Sequence, residues 1–87
     1  MRKVINILEG DGPIKERLAW AANVFWTAMI DANAWPLPLR AQAEPLVARL
    51  LQDGLIRETI SRMDEQEARE TADLLLEFAR EFQKSVD

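Results

Sequence analysis

"PIKERLAWAANVFWTAMIDA", residues 13–32, decides how this chain is read. Pro13 suits the first position of a helix, with Asp11 or Gly12 before it as cap. From there Ile14, Leu18, Ala21, Phe25, Ala28, Met29 and Ala32 recur at helical spacing and make the stripe of a core-facing helix. The apolar residues do not stop at that stripe. At about 100° per residue, Ala19, Trp26 and Ile30 fall on one flank and Val24 on the other. Trp20 lands on the polar arc, near Glu16, Thr27 and Asp31. A helix apolar over about two thirds of its circumference has more to bury than one short chain can cover. A second copy of the same helix is the expected cover.

Upstream, "KVINIL" (residues 3–8) suits either a short helix or a strand, because its β-branched residues also follow an i, i+3, i+4 pattern. With no second strand candidate to pair with, it is expected to lie on the bundle as an N-terminal arm or short helix, on its own chain or on a neighbouring subunit. Glycines and a proline in "EGDGP" then break the chain. Downstream, "NAWPLPLR" ends the first helix, since a residue preceding proline is pushed out of helical geometry. A second helix is expected from about Pro38 to Asp53, with Gly54 ending it. Pro45 predicts a kink or a split there. The second half buries Leu46, Val47, Leu50 and Leu51. A short helix over about Leu55–Met63 presents Ile56, Thr59, Ile60 and Met63.

"MDEQEARE" (residues 63–70) is a helix start: Asp64 caps, Glu67 resembles the return partner of a capping box, and Glu65 puts further negative charge in the first turn. Glu65 and Arg69 form an i, i+4 pair in the favourable order. The helix is expected to reach about Lys84 and to bury Ala68, Thr71, Ala72, Leu75, Phe78, Ala79 and Phe82. Leu74 and Leu76 flank that stripe, so this helix also shows apolar surface on at least one side.

Eighty-seven residues allow one domain. A chain of this size buries only about 60–65% of its unfolded surface, and small domains supplement such a core with disulfides, metals or oligomerisation. The chain has no cysteine and no histidine, which excludes disulfides and ordinary zinc or haem ligation. Oligomerisation is what remains. Fifteen acidic against eleven basic residues give a net charge of −4, which suits solubility and argues against a nucleic-acid surface. The opening "MRKVINIL" is too short an apolar run for a signal peptide, and Glu9 follows at once. No stretch has the length of a membrane span. Lack of cysteine fits a reducing compartment, so a cytoplasmic protein is expected.

The residue types that carry chemistry are scarce. With no histidine, cysteine or tyrosine, the common general bases and nucleophiles are missing, and the Glu-x-x-His motifs of di-iron bundles cannot be written. Glu67 with Glu70, and Glu77 with Glu81, lie at helical spacing but read as a solvated face. Lys15 at a helix start is a weak anion-site candidate. No phosphate loop is present. Catalysis, a metal site and a cofactor are therefore not expected.

The residues expected at a partner or dimer interface are Trp20, Val24, Trp26, Ile30, Trp35 and Leu74. Trp35, beside Pro36, has two readings: a plug over the open end of the bundle, or a binding anchor. The sequence predicts an all-α fold, a single domain over residues 1–87. A bundle of about four helices (13–87) carries an N-terminal arm (1–12) and pairs as a homodimer. Its expected function is a non-catalytic protein-interaction module, an adaptor, regulator or accessory subunit. One alternative is an apolar-ligand module lined by Trp20, Trp26 and Trp35. The other is DNA binding through residues 46–63, where Arg57 and Arg62 follow a helix-turn-helix-like break.

Overall fold

The computed structural model describes residues 1–86, the side chain of Ala32 excepted. Among the described residues all regular structure is helical. The elements are α1 (Arg2–Glu9), α2 (Ile14–Ala28), a 3₁₀ segment (Met29–Ala34), α3 (Leu37–Leu50), α4 (Ile56–Arg62) and α5 (Glu65–Val86).

The longest helix, α5, starts as its sequence dictates. The Glu67 N–H donates to Asp64 Oδ1 at 2.7 Å, and Arg69 reaches Glu65 at 2.9 Å. Its face of Ala68, Thr71, Ala72, Leu75, Phe78 and Ala79 is buried, while Phe82 is half-buried. Helices α1, α2 and α3 all pack on it, and α4 packs on α2 and α3. The core is rich in small residues, with Ala21, Ala22, Ala43, Ala68, Ala72 and Ala79 buried; small side chains let helix axes approach closely. Larger volume is supplied by Leu18, Phe25, Leu50 and Leu75. Phe25 meets Phe78 edge to face, with ring centroids 5.5 Å apart, a favoured aromatic geometry.

Of the readings open for the N-terminal arm, the short helix lying on its own chain is the one found: residues 2–9 are a helix of the bundle itself. Val4 is fully buried with Ile7 and Leu8 beside it, and α1 lies against α2 and α5 of its own chain. Arg17 ties the element down. Its Nη1 donates to the Leu8 carbonyl at 2.8 Å and its Nε to the Gly12 carbonyl at 2.9 Å. It thereby satisfies a carbonyl that the end of α1 leaves without a helical donor. The tight return to α2 uses Gly12 at φ +117°, a conformation costly for any residue with a Cβ.

The first long helix is shorter than its periodicity predicts. Regular α-helix ends at Ala28, and the chain tightens into the 3₁₀ segment with Asp31 at φ −99°, ψ 19°. Asp31 and Asn33 favour local hydrogen bonding over helix continuation, and Pro36 bars helical geometry at Trp35. Within the expected stripe, Leu18, Ala21 and Phe25 are buried, and Ile14, Ala28 and Met29 are half-buried. The side chain of Ala32 lies outside the described residues.

Pro45 neither splits nor opens a helix: α3 runs without interruption from Leu37 to Leu50 with Pro45 inside it. The proline removes the N–H that would serve the carbonyl of Ala41. Both residues are exposed, so water can serve that carbonyl. Pro38 stands in the first turn, where a missing N–H costs nothing. Gly54, at φ +96°, ends the turn that follows α3. In α4, Ile56, Thr59 and Ile60 face the core, and Met63 closes it. The two buried threonine hydroxyls are matched, Thr59 donating to the Leu55 carbonyl at 2.8 Å, whereas the buried Arg40 Nε has no partner among the described residues. Thr71 donates to the Glu67 carbonyl at 2.8 Å and accepts from Arg49 Nε at 2.7 Å.

Candidate functional site

The buried face of α2 consists of Leu18, Ala21, Ala22 and Phe25. Helical phase then aims Glu16, Trp20, Asn23, Trp26 and Thr27 outward, with Ile30 just beyond in the 3₁₀ segment, and all six are exposed. Trp20 is 59% exposed, Trp26 45% and Ile30 78%. Asn23 lies midway between the two indoles in sequence and on the wheel, at about 60° from each. The Thr27 hydroxyl donates to the Asn23 backbone carbonyl at 2.9 Å and is thereby satisfied within the helix. Two tryptophans on the outer side of α2 and an isoleucine in the segment after it, all in water, make apolar surface of the kind that marks interaction sites.

A groove lies on each side of this face. On the α1 side a cavity of about 470 Å³ is lined by Lys3, Asn6, Ile7, Glu16 and Trp20, among others. On the α4 side a second of about 480 Å³ runs beside Asn23, Trp26, Leu51, Leu55 and Ile56. Leu55 is 61% exposed and extends the apolar surface from Trp26 across to the turn after Gly54. Sequence reasoning did not select Leu55. Its signal was legible: it directly precedes Ile56, off the phase of the Ile56, Thr59, Ile60 and Met63 face.

The other interface candidates fall elsewhere. Val24 is half-buried and packs against the core. Trp35 is buried, its ring centroid 4.9 Å from Phe82 and 5.9 Å from Phe78. That is the plug position rather than an exposed anchor: the 3₁₀ segment folds the indole back over the end of α5. The three tryptophans therefore do not share a pocket. Trp20 and Trp26 line different grooves, and Trp35 is part of the aromatic core. Leu74 is 43% exposed and lies on α5 beside a third cavity, of about 510 Å³, between α3 and α5.

The segment weighed for DNA binding offers little cationic surface. In α4 the exposed Arg57 is followed at once by the exposed Glu58, and Arg62 lies 3.4 Å from Asp53. Ile56 and Ile60 are committed to the core. Among the described residues, no three acidic side chains gather as metal ligands, and no helix is long and apolar enough to cross a membrane. No family model, curated protein or solved structure matches the chain.

Proposed function

We propose that this chain is a non-catalytic helical interaction module of the cytoplasm that acts as a homo-oligomer, in the role of adaptor, regulator or accessory subunit. The observation that carries the reading is the outward face of α2 and the start of the 3₁₀ segment after it, where Trp20, Trp26 and Ile30 stand in water. Together with Leu55 they expose on the order of 500 Å² of apolar side chain, taking about 150–250 Å² for a whole aromatic residue. One side of a standard interface buries about 800 Å², of which roughly 65% is apolar in homodimers. The four residues thus come close to the apolar area that one side of a two-fold dimer needs. A two-fold contact is self-complementary, and a pairing centred on Asn23 sets each copy's Asn23 carboxamide against its counterpart. The two-sided hydrogen-bonding capacity of an amide suits such a place, as polar residues do in helix pairs.

The composition supports the non-catalytic half of the reading. No histidine, cysteine or tyrosine is available to hold or move a proton near neutral pH. Size-exclusion chromatography with light scattering tests the assembly. The expected mass at micromolar concentration is twice the 10.0 kDa of one chain, returning to one chain in Trp20→Ser/Trp26→Ser. A wild-type protein that elutes as a monomer overturns the self-association.

A further inference from the structure

We infer that the cleft between α3 and α5 is a second docking site, which takes a cationic amphipathic helical segment of another protein. The inference goes beyond self-association and does not depend on it. The cleft has a volume of about 510 Å³, room for a few anchoring side chains. Its floor is apolar, formed by Leu46 and Phe78, both nearly inaccessible. Pro45 and Gln42 of α3 form one wall. Leu74, Glu77 and Glu81 of α5 form the other. These three sit at i, i+3 and i+7, one stripe along the helix of about 10 Å.

The wall is what selects the occupant. Leu74 presents an exposed apolar group directly above a hydrophobic floor, and the next two residues of its stripe are carboxylates. Glu77 has no cation within ion-pair distance among the described residues, and Glu81 has only a loose contact of 3.9 Å to Lys84. The positive group in the cleft, Arg49, is already engaged. Its Nε donates to Thr71, and its guanidinium lies 3.7 Å from Glu70. An apolar trough whose rim carries one carboxylate unpaired among the described residues, Glu77, and one loosely paired, Glu81, attracts a helix that carries Leu-type anchors flanked by Lys or Arg. The same charges repel nucleic acid and anionic lipid headgroups.

A second copy of this chain is a poor occupant. Its basic helix, α1, spends Val4, Ile7 and Leu8 on the core. The cations of α2 are already engaged within the chain, Arg17 by the Leu8 and Gly12 carbonyls and Lys15 by the Ser61 carbonyl. The occupant is therefore a segment of a different protein.

The test is selection from a display library of random peptides long enough for about four helical turns. The intact wild-type protein is the bait, and Leu74→Lys/Glu77→Lys is used for counter-selection. Both substitutions are at exposed positions and leave the fold in place, as circular dichroism verifies. The expected result is enrichment of peptides with Lys or Arg flanking apolar residues at i, i+3, i+4 and i+7. Their binding, read by fluorescence anisotropy, weakens about fivefold or more in Glu77→Gln/Glu81→Gln and is lost at high salt. Failure to enrich any peptide over the counter-selected variant overturns the inference. Enrichment of acidic or uncharged peptides, or binding abolished by Trp20→Ser/Trp26→Ser but not by the α5 changes, overturns it too. None of these outcomes touches the oligomeric state, which light scattering reads separately.

Discussion

Replacing Trp35 by alanine separates the core tryptophan from the surface ones. Trp35 is 9% exposed, so it holds nearly the whole of an indole out of water, on the order of 200 Å². At about 25 cal/mol per Å² the lost burial is worth about 4 kcal/mol once the alanine's own share is allowed for. The edge contact to Phe82 and the tilted contact to Phe78 add about 0.5–1.5 kcal/mol beyond area. Working against this, Trp35 lies between the exposed Ala34 and Pro36, so the vacated site opens to solvent instead of leaving a closed void. The net expectation is a loss of about 3–4 kcal/mol, within the usual span for large aromatic truncations. An 87-residue domain has roughly 4–13 kcal/mol in total, so the variant is marginal and its Tm falls by about 12–32 °C. The assay is urea unfolding followed by far-UV circular dichroism at the lowest practical protein concentration, where association adds least to apparent stability. Trp20→Ala is the companion, expected to change monomer stability by less than about 0.5 kcal/mol. A Trp35→Ala loss below about 1 kcal/mol, or one matched by Trp20→Ala, refutes the division of the tryptophans between core and surface.

Two further substitutions probe the interior and the turn. Thr71→Val keeps the shape of a fully buried side chain but takes away the acceptor of Arg49 Nε. Urea unfolding should register a loss of about 1–2 kcal/mol; a neutral result means that water replaces the contact at no cost. Gly54→Ala forces a Cβ onto a residue at φ +96°, where surrounding space is open. The expected loss is about 1–2 kcal/mol of backbone strain alone, measured as a lowered Tm with unchanged secondary structure at room temperature.

Helix identity was legible wherever period and punctuation agreed. Asp64 with Glu67 marked the start of α5, and the spacing of Ala68, Thr71, Ala72, Leu75, Phe78 and Ala79 marked its buried side; both depend on residues within about three turns of each other. The readings left open depend on distant partners. Whether residues 3–8 formed an arm was decided by Arg17, which reaches back to the carbonyl of Leu8, and by the faces α2 and α5 offer to Val4. Whether Pro45 split its helix was decided by which side of α3 faces solvent. The outward position of Trp20 and Ile30 followed from helical phase. The fate of Trp35 did not, because a loop residue has no phase, and only the path of the 3₁₀ segment carries its ring to Phe78 and Phe82.

The distribution of apolar volume between inside and outside is itself an argument. Six alanines occupy the core, while Trp20, Trp26, Ile30, Leu37, Leu55 and Leu74 stand exposed. A single copy optimised for its own stability would place bulk inside, since each fully buried large apolar side chain contributes about 1.5–3 kcal/mol. Small residues inside let the helices close up, so they leave the outer faces of α2 and α5 to carry the large ones. The two faces differ in what surrounds that bulk. On α2 the indoles flank a neutral asparagine, which suits a copy of itself. On α5 Leu74 is followed along its stripe by Glu77 and Glu81, which suits a partner of opposite charge. On the proposed reading, one thin bundle thus presents a self-complementary face and a charge-selective cleft, and the charge beside each apolar group determines which partner it takes.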